Sequence, residues 1–436
     1  MEKTELKLML VVFGFAMSAL LCRADNIVTV KGYNYKIDEQ TRQASMVSKT
    51  PAYSGVVDVP EKISVEGSDY TVTAIDDTCF LLCDELTEVY LPSTITSLGN
   101  HAFSGCTGLK TITLPSSVES IGNGCFGGSG LQAIALPSSL TSIGDSCFTG
   151  CEQLSEVTLP ESLTTLSNGC FSICTSLENI TLPTSLQRIG ASCFSDCTKL
   201  NGIDIPESVE ELGEYCFNGD WAMQAVSFVK SSRLKTMGER CFASCWGLTS
   251  LALPDSLLTL GDNCFRGCTG LDSVSIPAST TTIGAECFED CSELAKVNIA
   301  NGSQLTTIGE ISFCNCSNLT SFTIPANVTE LGDYMFFGCD ALSSLYCLPV
   351  NPPTYPESLV DDPSLVTLYV PTESVELYSN AEGWQDFNIA DGIHEITKAE
   401  NGGMKGQFLL GGQRLKDSTA LHGCIIIKDG KKYISK

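Results

Sequence analysis

The chain is poor in the residues from which most active sites are built. Its only histidines, His101, His394 and His422, lie far apart and outside any paired motif. No Gly-Lys-Ser/Thr loop is present, which excludes a P-loop phosphate site. The one literal Gly-x-Gly-x-x-Gly, Gly122 to Gly127, is part of a longer repeat and opens no helix of useful length, so it is not a dinucleotide fingerprint. No catalytic, cofactor-binding or metal-ligating residue is expected, and the chain does not read as an enzyme. Basic residues are also scarce, 25 Lys+Arg against 51 Asp+Glu for a net charge of −26. That balance repels phosphate backbones and anionic headgroups, so nucleic acid is not an expected partner.

Long apolar runs are missing after the first residues, and no transmembrane segment is expected. Residues 1–24 read as a signal peptide. Lys3 and Lys7 precede an apolar run from Leu8 to Leu21, and Cys22-Arg23-Ala24 offers a small-x-small cleavage site. Acylation of Cys22 is the other use of that site, and Leu21 suits it poorly. Without the leader, 22 Lys+Arg face 49 Asp+Glu, since residues 1–24 hold three basic and two acidic side chains.

What is abundant is repetition. A Phe recurs twelve times from Phe80 to Phe336, in steps of 23 residues apart from one of 22 and two of 25. Ser139 to Pro160, SLTSIGDSCFTGCEQLSEVTLP, is one unit. Leu154-x-x-Val157-x-Leu159-Pro160 alternates like a short strand that proline then ends. Ile143, Cys147, Phe148, Cys151 and Leu154 fall at near-helical spacing, which predicts a short helical turn with Asp145 as its cap and Gly150 at its end. Asn100, Asn123, Asn168, Glu214, Glu239, Asp262, Glu310 and Asp333 share the Asp145 slot, so much of the acidity reads as capping. Units of this size cannot bury their apolar faces alone and must stack.

The 23 cysteines suggest a disulfide framework at first sight. Nine precede the repeated Phe and ten follow it by three residues, in slots that elsewhere hold Ala102, Ser129 or Asp220. A column of buried small thiols fits that tolerance. Disulfides between neighbouring coils remain the alternative, although parallel Cβ vectors oppose them.

The Leu-Pro-x-x-Leu/Val-x-x-Ile-Gly-x-x-Cys/Ala-Phe-x-x-Cys-x-x-Leu unit resembles the BspA-like bacterial leucine-rich repeats of the Bacteroidales type. The fold implied is an α/β repeat solenoid, a right-handed stack of about twelve 23-residue units with short parallel strands, short helical turns and small β segments at both ends. The segments divide as 25–69, similar to the family's N-terminal β cap; 70–348, the solenoid; 349–391, a closing segment; and 392–436, a small β tail. From Gly411-Gly412-Gln413-Arg414-Leu415 to Gly430-Lys431-Lys432, that tail resembles a secretion or sorting signal. The resemblance implies an exported protein, at the cell surface or secreted and outer-membrane associated. Its implied role is adhesion to a protein or glycan ligand on host or neighbouring cells. A structural or periplasmic scaffold without a host ligand is the alternative.

Two sets of residues are candidates for partner binding. The exposed strand column runs through Tyr90, Thr113, Thr158 and Thr181, and its scarcity of aromatic and Arg anchors favours the other reading, a hydroxyl ladder that suits strand pairing. The irregular unit between Phe217 and Phe242 carries Lys230, Arg233, Lys235 and Arg240, with Trp221 before and Trp246 after. It reads either as a partner site or as a tolerated insertion.

Overall fold

The computed structural model describes residues 26–393, together with 407–409, 414–415, 425–428 and 431–434. The leader reading falls outside the described residues, as does most of the proposed tail. The described parts of that tail form a small antiparallel sheet, in which Gln407–Leu409 lies between Arg414–Leu415 and Ile425–Lys428.

The repeats stack as a solenoid with two parallel sheets. One is built from the alternating segments, such as Gly202–Ile205 beside Ala225–Phe228 and Ser250–Ala252 beside Ser273–Ile276. The other uses two-residue strands one bend later and runs unbroken through eight coils, from Thr165–Leu166 to Glu330–Leu331. Flanking segments continue both. Gly55–Asp58 pairs in parallel with Leu86–Tyr90, and Ser68–Ile75 pairs with Ser97–Leu98. At the far end Thr367–Pro371 and Asn388–Ile393 add two more parallel strands. The stack thus has about fourteen turns where the repeated Phe marks twelve.

The segment expected to be helical makes no helix. In every coil the residues two before and two after the Phe are left-handed, for instance Ser192 (φ 53°) and Asp196 (φ 61°) around Phe194. Two such residues four apart cannot belong to a right-handed helix. Their backbone donors divide between two directions instead. Ser192, Phe194 and Asp196 donate to the carbonyls of Glu214, Cys216 and Asn218 in the next coil, while Ser195 and Cys197 donate three residues back. This corner is a third inter-coil ladder, and it accounts for the near-helical spacing of its apolar residues. Every inter-coil backbone donor of this corner ladder points towards the C-terminal end, so the last coil needs external acceptors. Tyr334 and Phe336 find the carbonyls of Ser358 and Leu359, and Gly338 finds the Asp361 carboxylate at 2.8 Å.

Three side-chain ladders serve the corners. Serines after the proline, such as Ser117, Ser185 and Ser256, donate to buried carbonyls of the preceding coil at 2.6–2.7 Å. The Asp145 slot does not cap helices. Its Asn and Asp members accept the backbone N–H of the same slot in the next coil, as Asn100 does from Asn123 and Asp145 does from Asn168. Glu214, Glu239 and Glu310 make no such bond among the described residues, because the longer side chain overshoots.

The third ladder is thiol. All 21 described cysteines are free. Apart from Cys83 in the first coil, those three after the Phe point the Sγ at the preceding coil's Phe carbonyl, Cys106 to Phe80 at 3.0 Å and Cys268 to Phe242 at 3.2 Å. The slot therefore asks for a small donor, which a purely apolar filler is not. The Phe rings of neighbouring coils stack beside it, with centroids 5.3 Å apart for Phe148 and Phe171. Burial pushes the Cys106 and Cys268 thiols up to about 12, so the reactive thiolate is negligible at neutral pH. Brief iodoacetamide treatment followed by peptide mapping should label half-buried Cys314 first among the described cysteines. The buried columns should react only in denaturant, and reductant should leave the melting temperature unchanged.

Candidate binding surface

The first sheet turns two columns of side chains outward. One runs Glu88, Thr111, Ala133, Glu156, Asn179, Gly202, Ala225, Ser250, Ser273, Lys296, Ser321, Ser344, Thr367. The other, two residues on, runs from Tyr90 through Thr113, Thr158 and Thr181 to Tyr346 and Tyr369. None of these residues is buried. Only Glu88, Glu156, Asp204 and Lys296 among them are charged, so this face is nearly neutral on a strongly acidic chain. The net charge resides on the bends and the second sheet.

The face is not uniform. A hollow of about 340 Å³ opens across three coils, lined by Asn179, Ile180, Thr181, Asn201, Gly202, Ile203, Asp204, Ala225 and Ser227. Its depth comes from Gly202 and Ala225, which place almost no side chain where their neighbours place Asn or Ser. Ser227 donates its hydroxyl to Asp204, while the carboxamides of Asn179 and Asn201 bond to nothing among the described residues. At the ends of the face, Tyr90 is 57% exposed and donates to Glu88 at 2.6 Å. Tyr346 stacks on Tyr369 at 4.8 Å.

The irregular coil does not form one basic cluster. Arg233 and Lys235 both pair with Glu210, at 3.0 and 3.2 Å. Arg240 lies at the turn ladder, over the Tyr215 ring at 5.6 Å and beside Glu239 at 3.8 Å. Lys230 is exposed. The two tryptophans do come together, stacked in adjacent coils with centroids 5.0 Å apart and planes within 5°. They remain 47% and 50% exposed. Of the sequence candidates, then, Thr181 lies in the hollow and Trp221 and Trp246 form a pair, while Arg233 and Lys235 share Glu210 and Arg240 sits apart from them beside Glu239. Asn179, Asn201, Gly202 and Asp204 were not legible as a site. Their only signal was two small residues, Gly202 and Ala225, in consecutive coils of the column.

Among the described residues no group of three or more His, Cys, Asp or Glu is placed to hold a metal ion, and no helix is long and apolar enough to cross a membrane. The family profile described as BspA type leucine rich repeat region matches residues 73–201, 119–245 and 235–351. The chain belongs to this family. Among solved structures, this BspA-type solenoid is similar to a leucine-rich repeat protein from Bacteroides ovatus. The two are 25% identical, with a TM-score of 0.56, over 85% of this chain and 100% of that one. It is similar also to a leucine rich cell surface protein from Faecalibacterium prausnitzii, at 25% identity and a TM-score of 0.54, over 85% and 95% of the two chains. No curated protein matches.

Proposed function

We propose that this BspA-type protein is exported and displayed at the cell surface, where its first sheet binds a protein or glycan on host or neighbouring cells. The observation that carries the reading is the near-neutral strand face on an otherwise acidic solenoid. Removing charge from one face of a soluble protein lowers the desolvation cost of covering it. The cell-surface name of the Faecalibacterium protein supports the location. So do the leader at 1–24 and the sorting-like tail at 392–436, with 25–69 and 349–391 acting as caps on the 70–348 stack.

The test uses the mature chain on intact epithelial and bacterial cells. Saturable binding is expected, falling by roughly tenfold or more when Thr158→Lys and Thr181→Lys put two charges on the face, a loss of about 1.4 kcal/mol. Binding that ignores those substitutions, or none to any cell type, rejects the reading. Protease shaving of the producing cells checks the location, because a periplasmic protein would be spared.

A further inference from the structure

Resting on that reading, we infer that the hollow around Gly202 and the Trp221–Trp246 pair together form a binding site for a neutral oligosaccharide. Two independent features point there. The first is the tryptophan pair. In ten other coils its slot holds a small or polar residue, including Thr198 and Thr269 on either side. The stack therefore has no need of a large ring at this corner, and two rings kept about half in water forgo the burial that ordinarily justifies them. Between small neighbours they present apolar surface that stands clear of the coil.

The second feature is the hollow itself. Its polar groups are two carboxamides, a carboxylate and hydroxyls, on Asn179, Asn201, Asp204, Thr181 and Ser227. The carboxamides and hydroxyls both donate and accept, the repertoire that a ring of vicinal hydroxyls requires. The unpartnered carboxamides of Asn179 and Asn201 are ready to bond without first breaking an internal contact. The two features meet on one coil, which carries both Trp221 and Ala225, and Trp246 lies on the coil beyond. Trp221 precedes Ala225 by four residues, a reach of at most about 13 Å along an extended chain. A ligand touching both must be longer than one sugar ring, with an apolar C–H face for the tryptophans and hydroxyls for the hollow.

The alternatives fit less well. Gly202–Ile205 pairs with Ala225–Phe228 on one side and is flanked by the Asn179–Thr181 coil on the other, so the hollow lies on a face inside the stack, where an added peptide strand has no open end of the solenoid to join. A cationic side chain would find only Asp204, already bonded to Ser227. An anionic glycan would meet the field of a chain carrying −26.

The test applies the mature chain to an array of immobilised uncharged oligosaccharides of three or more residues, beside sialylated and sulfated counterparts, with calorimetry on the free sugars that bind. Binding of uncharged sugars is expected. It should weaken at least about tenfold in Ala225→Lys, which fills the hollow from an exposed position, and similarly in Trp221→Ala/Trp246→Ala. Ser120→Lys, exposed on the second sheet and outside the binding face, should bind as the parent does. Matching circular dichroism melts show that a loss is not unfolding. The inference is overturned by binding restricted to acidic sugars, by uncharged-sugar binding that Ala225→Lys leaves intact, or by no sugar binding at all. If sugars fail while cell binding still depends on Thr158 and Thr181, the surface-binding reading stands and the ligand is protein. If cell binding fails as well, both fall.

Discussion

Gly213→Ala should destabilise the solenoid by about 3–5 kcal/mol, although it adds a single methyl to a residue that is not strained. The glycine after the second-sheet strand recurs at Gly99, Gly122, Gly144, Gly190, Gly213, Gly238, Gly261, Gly284, Gly309 and Gly332. A Cβ on Gly213 would stand 2.5 Å from the Ala191 nitrogen and 2.6 Å from the Gly190 carbonyl carbon. Both are backbone atoms of the preceding coil, which cannot rotate aside. The same glycine donates its N–H to the Ile189 carbonyl at 2.9 Å, so separating the coils also orphans a carbonyl inside the stack.

The chain contains its own version of this experiment. At Ser167 the slot holds a side chain, and the junction below it is stretched. Thr164 reaches the Thr141 carbonyl at 3.4 Å, against 2.8 Å for the equivalent Gln187–Thr164 bond one coil on. The second sheet is interrupted there, between Ser120–Ile121 and Thr165–Leu166. Serine survives because its hydroxyl takes the Ile143 carbonyl at 2.6 Å in place of the lost N–H, and alanine has no such recourse. Ser167→Gly should therefore be neutral or stabilising. Gly202→Ala, whose new Cβ meets only the Ala225 carbonyl at 3.2 Å, should cost under about 1 kcal/mol. Urea unfolding of the three variants checks the order. Equal effects at Gly213 and Gly202 would remove the steric account.

These contrasts mark what was legible in the sequence. The period, the first-sheet strands and the buried Phe and Cys columns follow from spacing alone, because each coil repeats one solution to the same burial problem, whereas the two-residue strands of the second sheet were not legible. The helical turn did not follow. Apolar residues three or four apart satisfy a helix and a doubly left-handed corner equally, and Thr78, His101 or Tyr215 gives no local sign of positive φ. The acidic slot misled for a related reason. Asn and Asp serve helix caps and inter-coil bonds with the same short acceptor, and only the neighbouring coil decides which. At the binding face, Thr181 stood out as one of a hydroxylated column. Asn179, Asn201 and the depth at Gly202 needed three coils in register before they could be read as one place.

Asp220→Cys should stabilise the protein at neutral pH, increasingly so as pH rises. Asp220 occupies the slot where other coils place the thiol that serves the preceding Phe carbonyl. It is fully buried, its Oδ1 accepts from the Cys197 N–H at 2.8 Å, and its Oδ2 has no partner. The groups facing it are the thiols of Cys193, Cys197, Cys216, Cys241 and Cys245, with the Asp196 carboxylate beyond. No cation is among them. Burial holds its carboxyl well above the usual carboxylate range, and the Asp196 charge pushes the same way. The folded state thus keeps a proton that the unfolded chain releases near pH 3.9. Stability from this site is complete below that pH and is lost as pH climbs towards the folded value, at about 1.4 kcal/mol per pH unit. A cysteine there stays neutral across the range and restores the repeat's donor. Urea unfolding at pH 4.5 and pH 7.5 should show the variant's advantage growing between the two, and Asp220→Asn should share the loss of pH dependence. An advantage that is the same at both pH values would mean that Asp220 is ionised in the folded protein, held by groups other than the thiols around it.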